Sequence, residues 1–357
     1  MSQSRFESFP EQPEAKRLLA AALDEGSAHG YLFHGPRGVG KRRAAIAFAS
    51  ELLGGDPRVE RRSHSDLYLV EPLGDQIRIG AIRDLRRDLH MRPFEAARRV
   101  YLVFGADQLN DEAADALLKD LEEPPDYAVI VLVADDLGPV PETIRSRCQL
   151  VPFRRLSERA VREELEQRAP GLGEEEVTAL ARVAAGRLDR AERLLDPSAA
   201  KRRDGLIEVA RAVYRDPAFE PADAAQRLLD GVDEFGRAVK ERAEQEVEAM
   251  QLTARDGQQR VRRAQRGAER DELLAQLEEL AAWYRDLVVV AAGAERAVIH
   301  FDRLEELRED ARVERMLGAE RACEVVRQTW RKLEEFQLSE RLALSGLLTE
   351  LRRELAA

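Results

Sequence analysis

Cysteine is nearly absent: the 357-residue chain has two, Cys148 and Cys323, far apart and neither in a C-x-x-C pair. A disulfide framework and a zinc module are thereby excluded, and a reducing compartment is expected. Long apolar runs are missing as well, since the longest, Leu287 to Ala294, falls far short of the ~20 residues needed to span a bilayer. The first residues, Met1 to Glu14, are polar, are broken by Pro10 and Pro13, and lack the apolar stretch of a secretion signal. A cytoplasmic location with no membrane partner is the expectation. His29, His34 and His64 do not have metal-ligand spacing, so no metal site is expected. An excess of positive charge is also lacking. The formal net charge is -11 with 35% charged residues, which argues against a free-standing nucleic-acid binder.

Ala, Leu, Glu and Arg dominate what is present, and aromatics make up only 5%, a composition rich in helix formers. The first ~155 residues nevertheless alternate short apolar runs with helical patterns, the mark of βαβ units around a parallel sheet. Gly30–His34, Asp66–Glu71, Arg99–Phe104 and Ala128–Ala134 read as strands, and Lys41–Leu53, Ile79–His90 and Asp111–Leu121 as helices. From Leu156 the period-two runs vanish and three-to-four spacing takes over. An α/β domain over 1–156, a small helical unit over 157–200 and a longer helical domain over 201–357 are expected. Within the last, Phe235 to Leu280 is charge-dense and reads as a solvated helix or helical hairpin laced with i,i+4 ion pairs. A DNA-contacting arm carried by Arg260, Arg262, Arg263, Arg266 and Arg270 is the alternative, weakened by acidic neighbours on both sides.

The run Gly35-Pro36-Arg37-Gly38-Val39-Gly40-Lys41 follows a predicted strand and opens a helix, the context that a phosphate-binding P-loop requires. Gly35, Gly38 and Gly40 let backbone N–H groups turn inward around phosphate oxygens, the helix N-terminus adds its positive end, and Lys41 reaches the outer phosphates. The next position normally carries a Ser or Thr whose hydroxyl binds Mg²⁺; here it is Arg42. The strand that should end in a metal-binding Asp followed by a water-orienting acid ends instead in Phe104-Gly105, with Asp107 too far along for the metal. Hydrolysis at this loop is therefore not expected, because catalysis of phosphoryl transfer is mostly placement of metal and charge. Binding of ATP or ADP without hydrolysis stays open.

His29-Gly30-Tyr31-Leu32-Phe33-His34-Gly35-Pro36, then Ser65-Asp66-Leu67, Ala116-Leu117-Leu118-Lys119, Leu121-Glu122-Glu123-Pro124-Pro125 and Thr143-Ile144-Arg145-Ser146-Arg147-Cys148 are similar, in that order, to bacterial DNA polymerase clamp-loader subunits. The resemblance is strong over about Gln12 to Phe153. It implies a RecA-like AAA+ P-loop domain, a small helical lid and a C-terminal helical collar through which five subunits form a ring. Weaker likeness to collar segments lies in Trp283-Tyr284-Arg285-Asp286 and in the closing helix, Leu342–Leu351. Members of the family commonly carry a four-cysteine zinc module after the first helix, but residues 52–64 contain no cysteine, so no zinc is expected. In Gly186-Arg187-Leu188-Asp189-Arg190-Ala191 the resemblance places Asp189 where a nucleotide-sensing Arg is usual, with Arg190 one step away.

The same resemblance assigns Arg147 as an arginine finger that points into the nucleotide site of an adjacent subunit, where a guanidinium offsets charge developing on the γ-phosphate. The reading of the residues alone is a surface ion pair. Leu121–Pro125 stops a helix, because two prolines follow, and the family places that turn near a subunit interface. Taken together, the expectation is a subunit without catalysis of its own, in a hetero-pentameric ring with gamma/tau-type motor and delta subunits. That ring would act on a sliding clamp and primer-template DNA. An active AAA+ motor with an unusual metal site and a nucleotide-binding AAA+ regulator with other partners are the alternatives.

Overall fold

The computed structural model describes residues 6–72, 76–249, 254–335 and 338–355. The chain divides into two compact units, 1–171 with 185–189, and 172–184 with 190–357. The first contains α1 (Pro13–Glu25), β1 (Gly30–His34), α2 (Lys41–Leu52), α3 (Pro57–Glu60), β2 (Leu67–Val70), α4 (Ile79–Leu89), β3 (Arg99–Phe104), α5 (Asp111–Glu122), β4 (Ala128–Ala134), α6 (Glu142–Arg145), β5 (Gln149–Pro152) and α7 (Glu158–Arg168). The second is helical, with α8 (Glu174–Ala184), α10 (Pro197–Arg215), α11 (Pro221–Ala249), α12 (Ala254–Ala291), α13 (Leu304–Asp310), α14 (Met316–Glu335) and α15 (Glu340–Leu355); α9 (Leu188–Leu195) begins in the first unit and ends in the second. The α/β class followed by helices, inferred from periodicity, is what the chain adopts.

All five strands are parallel, in the order β2-β3-β4-β1-β5. β3 and β4 are buried along their whole length, which explains their unbroken apolar runs. Successive side chains alternate between two cores. Tyr31, Phe33, Val100, Leu102, Val129 and Val131 pack on the face covered by Ala44 and Phe48 of α2, whereas Leu32, Tyr101, Val103, Ile130 and Leu132 pack on the face covered by Leu85 of α4 and Leu117 of α5. With β1 central and followed directly by the glycine loop, that loop lies at the carboxyl edge of the sheet, where open α/β folds hold ligands. This is the P-loop arrangement of RecA-like AAA+ domains.

Two elements are not evident from sequence periodicity. β5 has only four residues, with Gln149 and Leu150 exposed, so it carries no apolar run, yet its backbone pairs with β1 from Tyr31↔Gln149 to His34↔Pro152. α1 begins at Pro13, which suits a first helical position.

In the helical unit, Leu206 and Val213 of α10, Leu228 of α11, Leu277, Leu280, Trp283 and Tyr284 of α12, and the α15 leucines form one core. Leu344, Leu347, Leu348 and Leu351 are all buried in it, while Leu342 is 75% exposed. The stripe that could have faced neighbouring subunits is thus internal at four of its five positions. The charge-dense segment 235–280 is helical wherever it is described, in α11 and α12, which pack against each other. Arg260, Arg262 and Arg266 are exposed on it.

Candidate functional site

The glycine loop takes the conformation that its sequence requires. Gly35, Gly38 and Gly40 all have positive φ, at 138°, 74° and 96°, which an L side chain rarely adopts. Gly35 is further fixed by β5, because a Cβ there would stand 2.1 Å from the Phe153 carbonyl oxygen. Lys41 opens α2 and is buried, its Nζ 2.7 Å from Asp135 Oδ1 and donating to the carbonyl oxygens of Gly35 and Pro36. Burial lowers its pKa, against the charge and hydrogen bond of Asp135. The lysine that would meet outer phosphates is held by an acid at the end of β4.

On the metal side, Arg42 stacks its guanidinium 4.4 Å from the centroid of the Phe104 ring and pairs with Glu71. A cation–π stack and an ion pair therefore occupy the side where a hydroxyl and a carboxylate would ligate Mg²⁺. Gly105, with φ of 76°, turns the chain out of β3, and a Cβ there would come 2.7 Å from Pro72. Asp107 follows in a 3₁₀ turn and accepts the backbone N–H groups of Asp135 and Asp136, both at 3.1 Å. Burial raises its pKa, as does the charge of Asp135. The residues here do not fit a divalent cation: neither residue 42 nor residues 104 and 105 carry an oxygen ligand, and Asp107 is turned to backbone donors. Among the described residues no cluster of His, Cys, Asp and Glu could hold a metal ion.

Asp189 was legible only as an unusual residue in its motif; the fold brings it onto the loop. Its Oδ1 lies 1.7 Å from where a Gly38 Cβ would stand, and the Leu188 N–H donates to the Gly38 carbonyl at 2.7 Å. Arg187 holds the Asp189 carboxylate at 3.1 and 2.7 Å, and Arg37 Nε lies 3.6 Å from it. Arg190 turns away to pair with Glu279.

Arg147 sits elsewhere. It follows α6 and precedes β5, at the amino edge of the sheet, and its carbonyl oxygen would be 3.2 Å from a Cβ on Gly30 at the start of β1. Its guanidinium is exposed, donating to Thr143 O at 2.8 Å and pairing with Glu122 at the end of α5. Cys148, beside it, is half-buried, and burial pushes its thiol up to about 12, so it is no nucleophile. His29 and His64 serve backbone: the first contacts Ala128 O at 3.1 Å, and the second accepts the Asp66 N–H at 3.0 Å.

A P-loop fold with an opposed, exposed arginine defines a class, the AAA+ proteins. Residues 11–157 match the family model described as DNA polymerase III, delta subunit. The chain is 34% identical over 167 residues to the DNA polymerase III subunit delta' of Bacillus subtilis, an alignment covering 43% of this chain and 51% of that protein. It is 32% identical over 171 residues to the tau subunit of the same organism, covering 44% and 30%. The solved structure of a gamma subunit-related protein of DNA polymerase III from Thermotoga maritima is 18% identical over 96% of this chain and 99% of that one, with a TM-score of 0.46. The chain is thus a relative of DNA polymerase III subunits of the delta-prime and gamma/tau kinds, and the resemblance to clamp-loader subunits holds over its N-terminal α/β region. It spans about half the length of the delta-prime relatives it matches.

Proposed function

We propose that this chain is a delta-prime-type subunit of a DNA polymerase III clamp loader, hydrolysing no ATP itself and supplying Arg147 to the nucleotide site of a neighbour. The observation that carries this reading is the placement of Arg147 at the opposite edge of the sheet from its own phosphate loop. β1 alone, from Gly30 to His34, separates the two edges by about 13 Å at ~3.3 Å per residue. An exposed guanidinium there cannot serve its own loop, and a phosphate it reaches must belong to another chain. The missing metal ligands at residues 42, 104 and 105 support the same division of labour. On this reading its partners are gamma/tau-type motor subunits and a delta subunit in a five-membered ring, and the ring loads a sliding clamp on primed DNA.

The experiment is reconstitution with candidate motor and delta subunits, comparing wild-type with Arg147→Ala rings at matched concentration. The variant should assemble normally, since the side chain is exposed and leaves no cavity. One arginine finger is worth ~10³–10⁵ at its own site in other phosphoryl-transfer systems. Ring ATPase should fall only partly because several sites fire, and clamp loading should fall more. Arg147→Lys should rescue poorly, because an ammonium lacks the planar fork that meets two phosphate oxygens. Unchanged clamp loading in properly assembled mutant rings would sink the role. The isolated chain should show no ATP turnover above background.

A further inference from the structure

We infer that the phosphate loop of this chain is closed by the chain's own acids, with the Asp189 carboxylate standing where a nucleotide phosphate would lie, and that removing this one charge opens the loop to nucleotide. The inference does not depend on the arginine-finger role. It rests on a loop whose backbone fits a phosphate while its surroundings do not. The three glycines have the positive φ values that turn N–H groups inward, and α2 presents its N-terminus to the same point. Yet the side of Gly38 where a Cβ would project is filled by Asp189 Oδ1, 1.7 Å from that position and held there by the Leu188 N–H to Gly38 bond.

Charge leads to the same conclusion. Each cation that could meet a phosphate already has an acid of this chain as partner: Lys41 has Asp135 at 2.7 Å, Arg42 has Glu71, and Arg37 and Arg187 share Asp189. Asp107 lies close enough to act on Lys41 as well. A triphosphate entering this loop would find no uncompensated cation and would face the Asp189 carboxylate directly, a like-charge contact that disfavours binding. Asp189 differs from the other acids in touching the loop backbone itself. Without its charge, Arg37 and Arg187 become free to meet a phosphate, so one substitution both removes a repulsion and releases two guanidinium groups.

The test is equilibrium binding of fluorescent ADP and ATP analogues to the isolated full-length chain, with and without Mg²⁺, followed by anisotropy and checked by calorimetry. Wild type should show no saturable binding up to millimolar nucleotide. Asp189→Asn, which keeps the volume and the donors' partner oxygen but drops the charge, and Asp189→Ala, which also clears the space, should each bind at least tenfold more tightly. Lys41→Ala in the Asp189→Ala background should abolish the gain. Binding should not need Mg²⁺, because Arg42 rather than an oxygen ligand lines the metal side. Tight wild-type binding that Asp189→Ala leaves unchanged, or folded Asp189 variants that stay silent, would overturn the inference. Either result would leave the Arg147 reading untouched, since that is measured as clamp loading by assembled rings.

Discussion

Asp66 is completely buried, and its carboxylate accepts the backbone N–H groups of Phe94, Glu95 and Ala96 at 2.6, 2.9 and 2.8 Å. The Ser65-Asp66-Leu67 motif thus fastens the loop that leads into β3, a structural rather than a catalytic duty. Burial alone would raise this acid's pKa, but the three donors and Arg99 outweigh it and hold it below the ordinary range. A depressed carboxylate contributes stability that is present above the unfolded value of ~3.9 and lost as pH falls through the folded one. Asp66→Ala leaves three donors unpartnered and should cost about 3 kcal/mol in a denaturant titration at neutral pH, at ~1–3 kcal/mol for each buried group stranded. Asp66→Asn, which can still accept, should cost less. A neutral effect of Asp66→Ala would show that these bonds contribute nothing net.

Among the elements, α12 carries a buried ionic cluster that joins it to α10 and to the turn before α13. His300 is completely buried, with Nδ1 2.8 Å from Asp286 and Nε2 3.1 Å from Glu279, and Trp283 meets it edge-on at 5.4 Å. Glu279 also pairs with Arg190 of α9 and Arg203 of α10, and Arg203 with Asp302. Burial alone would lower the imidazole pKa, but the hydrogen bonds to Asp286 and Glu279 and the charge of Glu279 prevail over burial and over Arg203, and raise it. A raised His contributes stability that is full below its unfolded value of ~6.5 and lost as pH climbs through the folded one. The difference in unfolding free energy between wild type and His300→Gln should therefore shrink from pH 6 to pH 9. A difference constant across that range would mean that His300 is neutral throughout. The same cluster explains why Trp283-Tyr284-Arg285-Asp286 forms a recognisable sequence unit: Trp283 and Tyr284 fill the core, and Asp286 binds the backbone N–H groups of Ile299 and His300 at 2.9 and 2.8 Å.

For the whole molecule, the two units have separate cores, and each must be credited with its own role. The α/β unit holds both the closed loop and Arg147, while assembly into a ring is assigned to the helical unit on the proposed reading. A chain ending at Asp196 should therefore fail to join the ring in size-exclusion and pull-down measurements, whereas one that joined at full affinity would move the oligomerisation surface to the α/β unit. The surface in question cannot be the leucine stripe as a whole, since Leu344, Leu347, Leu348 and Leu351 are core and only Leu342 projects. Exposed Val313 and Leu317, at 69% and 60%, are apolar positions on the same unit that the periodicity of α15 did not point to.

How much of this was legible beforehand follows from the range of each interaction. Strands β1, β3 and β4 and helices α2, α4 and α5 could be read within a residue or two, because burial on both faces or on one stripe writes a period directly into the chain. The glycines of the loop, Lys41 and the missing metal ligands at residues 42, 104 and 105 were likewise local, fixed by backbone conformation and side-chain chemistry at neighbouring positions. β5 escaped because an edge strand held by backbone hydrogen bonds needs no apolar pattern, and the leucine stripe of α15 could not say whether its partners were its own helices or a neighbour's. The amino acids by themselves determined a P-loop α/β unit with a degenerate metal side, followed by helices. Only tertiary structure set Asp189 against Gly38, tied Lys41 to Asp135 and placed Arg147 at the far edge of the sheet. Those three facts join residues up to about 150 positions apart, and no local periodicity records contacts that exist only once the strands have been ordered.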